Sequence, residues 1–130
     1  MFNVNVRDFL QRPLLARIST IDPEGYPHTV PVWFMLDGDE IVITSVRNTR
    51  KIGYIQANPK GAIVIGGEPA DGGGYLIKGD FAVEEDPGLE WMKRLTYHYE
   101  DKEQAEKDIA EWSLLDMCLI RIKPKTILKV

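Results

Sequence analysis

Between Ile41 and Gly67 the chain reads IVITSVRNTRKIGYIQANPKGAIVIGG, with four cations (Arg47, Arg50, Lys51 and Lys60) and no Asp or Glu. The 130-residue chain carries a formal charge of -4, so this segment is a positive island in an acidic protein. Its periodicity predicts strand, tight connection, short helix, strand. Asn48 or Thr49 is the expected N-cap, which puts Arg50 and Lys51 in the helix's first turn. Unpaired N–H groups already make that turn positive, so cations there are unfavourable unless an anion joins them. A helix N-terminus is a ready phosphate site, and Thr44 and Ser45, at the end of the preceding strand, add hydroxyl donors. The chemistry these residues could do is phosphate binding; the structural alternative is a solvated basic turn.

The rest of the sequence is as informative for what it lacks. His28 and His98 have no second ligand at metal spacing, so no zinc site is expected. No serine stands in a G-x-S-x-G context. The single cysteine, Cys118, lies in the apolar run LLDMCLIRI, excludes an internal disulfide and reads as a buried strand residue. The carboxylates of Glu100 to Glu111 read as a solvated helix face, and no residue stands out as a catalytic acid or base. Chemistry without a nucleophile, metal or acid–base pair is usually carried by a cofactor, and a phosphate-bearing one suits the basic segment. The mildly acidic composition argues against a dedicated nucleic-acid binder, and the basic segment has only Tyr54 to interleave as an aromatic. No run of about 18 apolar residues marks a membrane span. No export signal is evident, so a cytoplasmic protein is expected.

The elements that must position these groups follow from apolar spacing and turn residues. Val6 to Gln11 reads as a short helix stopped by Pro13. Strands are expected over Leu14 to Ile21, His28 to Met35 and Glu40 to Ser45, joined by turns at Asp22-Pro23-Glu24-Gly25 and Asp37-Gly38-Asp39. Pro31 within the second strand marks an edge or irregular position. The helix from Thr49 to Ala57 has Ile52 and Ile55 as its stripe and ends at Asn58-Pro59. Strands at Gly61 to Gly66 and Tyr75 to Glu84 flank a glycine-rich loop, with Gly79 as a bulge or bend. Asp86-Pro87 opens a helix carrying Trp91, Met92, Leu95 and Tyr99. Asp101 opens another, with Gln104 as capping-box partner and a stripe of Ala105, Ile109 and Trp112. Leu115 to Ile122 and Thr126 to Val130 are the last strands, separated by Lys123-Pro124-Lys125. Lys78 and Arg121 fall mid-strand, where each needs a partner or an outward path. Residues 1–130 thus read as one domain, mainly β: six or seven strands, mostly antiparallel, in a small closed or split barrel with short flanking helices.

The order LLARISTIDPEGYPHTVPVWF, IVITS, TRKIGYIQANPKGAIVI, YLIKGDFAVEEDP resembles the pyridoxamine 5'-phosphate oxidase-like family of FMN-binding split barrels, over about Val6 to Val130. The most specific parts are Thr44-Ser45, then Arg50-Lys51, then the Asn58-Pro59 stop. The resemblance implies that Thr44, Ser45, Arg50 and Lys51 hold the phosphate of FMN. It also implies that Val30, Pro31, Val32 and Trp33 line the ring, largely through backbone groups, and that a homodimer carries the cofactor at its subunit interface. An FMN-dependent oxidoreductase acting on a small molecule is the leading expectation. F420 is the alternative cofactor, because it too brings a phosphate and a tricyclic ring. A non-catalytic flavin or haem carrier, with His28 or His98 as haem ligand, is a further one. No counterpart of the substrate-binding C-terminal segment of the true pyridoxamine phosphate oxidases is evident, so the resemblance does not carry their substrate.

Overall fold

The computed structural model describes residues 2–130. Its elements in chain order are α1 (Val4–Leu10), β1 (Ala16–Ile21), β2 (Pro27–Val32), β3 (Met35–Asp37), β4 (Glu40–Val46), α2 (Arg50–Ala57), β5 (Lys60–Gly66), β6 (Gly74–Glu84), α3 (Glu90–Tyr99), α4 (Lys102–Trp112) and β7 (Met117–Lys129). Short 3-10 turns at Pro69–Asp71 and Pro87–Leu89 complete the path.

The seven strands form one antiparallel sheet in the order β2-β1-β5-β6-β7-β4-β3. Its two end strands, β2 and β3, are consecutive in sequence and separated only by Trp33 and Phe34. The sheet therefore curls until its ends are joined by two residues of chain, which is the split barrel expected. The continuous strand from His28 to Met35 is corrected to two strands broken at this joint. The break follows from side chains: Phe34 is fully buried. Its N–H donates to the Tyr99 hydroxyl at 3.1 Å, and that hydroxyl donates to the Leu14 carbonyl at 2.7 Å. Backbone groups that would continue the ladder are bonded to a helix side chain instead.

The two expected terminal strands are one. β7 runs through Pro124 because a bulge in β7 absorbs it: Lys78 pairs with Thr126 and Gly79 with Pro124, leaving Lys125 as the extra residue. Proline is tolerated at such a bulge. Gly79 is required there, since a Cβ would lie 2.2 Å from the Lys123 carbonyl oxygen.

The barrel interior is filled by alternate strand positions. Ile18, Ile63 and Ile77 stand in register, with Val30 and Ile127 continuing the row at its ends. A second buried set, Val42, Met92, Leu95, Ala105 and Leu119, lies outside that cluster, where α3 packs on β4 and carries α4 against it. Asp86 fixes this layer, as its two carboxylate oxygens accept from the N–H groups of Trp91 and Met92 at 3.0 Å, capping α3. Asp101 caps α4 through the Gln104 N–H at 2.9 Å, while the Gln104 side chain turns to Asp108 rather than closing a capping box. Arg121 is held by Asp37, Glu40 and Glu84 at 2.8, 3.3 and 2.9 Å, tying β3, β4 and β6 to β7.

A cavity between the strand ends and the helical corner

At the end of the barrel where β2 breaks lies an open cavity of about 570 Å³. Pro31, Val32, Trp33, Thr44, Ser45 and Lys51, six of the eight residues singled out in the sequence, line it. Three elements build its walls. The first is the end of β2 with Leu15, the second is the end of β4 with Met117 and the start of α2, and the third is the corner between α3 and α4.

The β4–α2 wall is a set of unused donors. Thr49 is the N-cap of α2, but its side chain makes no capping bond; its hydroxyl donates back to the Val46 carbonyl at 3.1 Å. The first N–H groups of α2 therefore have no side-chain acceptor, and no acidic residue stands in the first turn. Lys51 is half-buried and forms no ion pair among the described residues; desolvation lowers its ammonium pKa from the ordinary value. The Thr44 hydroxyl oxygen is buried with no hydrogen-bond partner, and Ser45 donates to the Val46 carbonyl at 3.0 Å. An unpaired buried hydroxyl and an unpaired half-buried ammonium beside one helix start are costly unless something accepts from them. A phosphate does so, and the donor set fits it.

Two expected residues fall elsewhere. Arg50 is exposed on the first turn of α2 and does not line the cavity. Val30 points into the barrel opposite Ile18. Its strand, β2, stands at one end of the sheet order, so one backbone edge of β2 has no ladder partner. Arg47, for which the sequence left phosphate binding and solvation open, does neither: it is bonded to Glu85 at 2.8 Å and Asp116 at 3.2 Å. Cys118 is fully buried opposite Ser45, its thiol pushed up by desolvation.

The helical corner contributes what the sequence did not announce. Trp33 stacks on Tyr99 with centroids 4.8 Å apart and planes 6° from parallel, and meets Trp112 edge-on at 5.9 Å. Burial pushes the Tyr99 hydroxyl up to about 12. Glu100, the two-residue corner's first member, and Asp108, two turns into α4, both line the cavity. Hydrogen bonding to Asp108, then desolvation and the neighbouring Asp108 and Asp101 charges, pushes the Glu100 carboxyl up to about 7. Glu103, Glu106 and Glu111 are exposed, so the expected solvated face holds for them and fails for Asp108. Asp108 sits three residues after Ala105 and four before Trp112, on the inward face of α4; that spacing was the available signal. Glu100 belongs to no periodic element, and nothing in the sequence marks it.

Neither histidine lines the cavity: His28 packs edge-on to Tyr54 and His98 edge-on to Tyr99. Among the described residues no group of three or more His, Cys, Asp or Glu side chains could hold a metal ion. No helix is long and apolar enough to cross a membrane.

Comparison with known proteins gives the same architecture. The family model described as pyridoxamine 5'-phosphate oxidase matches residues 2–130. Among solved structures, a protein named F420 reductase superposes with a TM-score of 0.75 at 22% identity, covering 94% of each chain. General Stress Protein 26 from Bacillus anthracis does so with 0.69 at 21% identity, over 95% of this chain and 88% of that one. A single-residue variant of HupZ from Group A Streptococcus gives 0.69 at 18% identity over the whole of both chains. At these identities the likeness is one of fold. None of the curated proteins matches the chain.

Proposed function

The chain belongs to the pyridoxamine 5'-phosphate oxidase family, and on that premise we propose that residues 1–130 form one FMN-binding domain acting as an oxidoreductase on a small molecule. The family commonly binds flavin nucleotides. The observation that carries the reading is the wall of unused donors. Lys51 without a counter-ion, the orphaned Thr44 hydroxyl and the uncapped start of α2 converge on one cavity. Its volume, about 570 Å³, lies within the usual range of about 300–1,000 Å³ for small-ligand sites.

In this reading Lys51 and Thr44 bind the phosphate, Ser45 turns its hydroxyl to it, and Arg50 adds charge from the rim. Pro31, Val32 and Trp33 lie along the ring, and the unpartnered backbone edge of β2, Val30 included, supplies its polar contacts. Leu15, Met117 and Trp112 keep water from the apolar part of the site. FMN, when bound, supplies the ring that accepts and donates hydride; the chain holds it and shapes access to it. Members of the family are often dimeric. We place the cofactor of this chain between two subunits, because Pro31, which lines the cavity, is exposed on an edge strand.

A second reading keeps the site and changes the cofactor to F420, since a protein named F420 reductase shares this fold. The test is the visible absorbance spectrum after loading with FMN and removing free ligand. Retained flavin bands in the wild type, lost in Lys51→Ala, are expected. Retention of F420 but not FMN would select the second reading. Retention of neither would sink both.

A further inference from the structure

Carboxyls stand in a cavity whose opposite wall is built to hold an anion. From this arrangement we propose that Glu100 and Asp108 share one proton in the ligand-free protein, that Glu100 keeps it and turns it from Asp108 to the acceptor edge of the ring system when the ligand binds, and that ligand retention therefore depends on that proton. The proposal rests on the reading of the cavity as a flavin-type site and adds a ligand-contacting residue to it.

Two independent features point to the shared proton. Both carboxyls line the cavity, at the corner that also carries Trp112 and backs Trp33. The Oε1 atom of Glu100 is buried and has no hydrogen-bond partner. A buried, unpaired carboxylate oxygen is costly, and a proton held between the two groups removes both the vacancy and the like-charge repulsion. The elevated affinity of Glu100 for its proton agrees with that geometry.

The surroundings leave the pair few competing charges. Asp101, on the same corner, raises the Glu100 carboxyl further. Lys51 on α2 is the cation lining the cavity, and it forms no ion pair with either carboxyl among the described residues. The walls from β1, β2, β4 and β7 present Leu15, Pro31, Val32, Trp33, Thr44, Ser45, Val46 and Met117, none of them ionised. Gln104 donates to Asp108 at 3.1 Å and fixes the orientation of its carboxylate. The half-protonated pair carries one negative charge instead of two, which lets an anionic ligand enter. Full ionisation removes the donor and adds repulsion, so affinity falls as pH rises through the transition near 7.

The first measurement uses ligand-free protein: a carboxyl-region carbon-13 NMR titration with labelled glutamate, the Glu100 signal being identified by its absence in Glu100→Gln. A Glu100 carboxyl titrating near neutrality, shifted down in Asp108→Asn, is expected. Titration in the ordinary carboxylate range overturns the shared proton, whatever the cofactor. The second is the dissociation constant for FMN from pH 6 to 8.5. The wild-type value is expected to rise by about tenfold per pH unit once above the transition, as one linked proton requires. Glu100→Gln keeps an N–H donor and is expected to lose that rise. The second ionisation of the FMN phosphate, near about 6, strengthens its hold by Lys51 as pH rises, so it cannot imitate the trend. A flat wild-type profile, or an equal rise in Glu100→Gln, overturns the proposal. Absence of FMN binding at every pH overturns the FMN reading instead; the pH profile is then measured with F420, and the same two outcomes decide.

Discussion

The β4–α2 wall and the α3–α4 corner face each other across one cavity and are held on opposite electrostatic terms. On the first, a cation and two hydroxyls come with a helix start that lacks an acidic residue, and among the described residues Lys51 has no ion-pair partner and the Thr44 hydroxyl no hydrogen-bond partner. On the second, two carboxyls crowd together beside stacked aromatic rings. Each wall is unsatisfied by itself, and the two are unsatisfied by groups of opposite kind. On the reading proposed above, such a cavity takes a ligand with an anionic end and a hydrogen-bond-accepting, planar body. On that reading the positive island supplies only half of the site's specificity.

The largest expected effect breaks the first wall. Lys51→Ala should weaken FMN retention by about 1.5–3 kcal/mol, the worth of a charge-assisted hydrogen bond in a partly buried site. Arg50→Ala, added to it, should cost only about 0.5 kcal/mol more, since Arg50 is exposed and does not line the cavity. A titration in which Arg50→Ala is the more damaging would show that the phosphate sits outside the cavity, over the first turn of α2.

A somewhat smaller effect tests what holds the second wall in place. The Tyr99 hydroxyl accepts from Phe34 and donates to Leu14, so it pins the end of α3 to the barrel's joint and to the segment that leads into β1. Tyr99→Phe keeps the stacked ring and leaves those two backbone groups unpaired, at a cost of about 2 kcal/mol. Denaturant melts should register it. An unchanged midpoint would mean that the stack on Trp33 alone fixes the corner.

The two walls also differ in how far the sequence reveals them. Thr44, Ser45, Arg50 and Lys51 are adjacent in the chain, and their chemistry conflicts with the local helix, so a local rule exposes them. The barrel is legible for the same reason, because strand alternation and turn residues are local signals. What the sequence obscures is decided by tertiary partners. The break at Trp33-Phe34 depends on a hydroxyl from Tyr99, far along the chain. The passage of β7 through Pro124 depends on Gly79 across the ladder. Arg47 looks like part of the island until Glu85 and Asp116 arrive from two other segments. Glu100 belongs to no repeating pattern, and only the turn between α3 and α4 directs it inward.

Stability against pH separates the walls next. The folded Glu100 carboxyl, at about 7, binds its proton more tightly than an unfolded one near 4.5. Between those values the folded state holds the extra proton, so stability is highest at the acid end and declines as pH rises to about 7. Above that the contribution is constant. Thermal melts at pH 5.5 and 8 should show the wild type losing a few degrees that Glu100→Gln retains. Parallel losses in both proteins would place the responsible group elsewhere.

The smallest expected effect is the most discriminating about the island. Arg47 stands four residues before Lys51 and carries the same charge, yet its guanidinium is spent on Glu85 and Asp116. Those hydrogen bonds raise its pKa from the ordinary value, as expected for a cation already neutralised by its neighbours. Removing it should therefore leave the field in the cavity almost unchanged. Arg47→Gln is expected to bind FMN within about twofold of wild type, as for a surface change away from the ligand. Raised salt should weaken FMN binding to the same degree in both proteins, because the responsible cation, Lys51, is present in both. A loss comparable to that of Lys51→Ala would mean that the phosphate draws Arg47 away from its two carboxylates. The basic segment would then act as one unit, and the division between a neutralised cation and a waiting one would not hold.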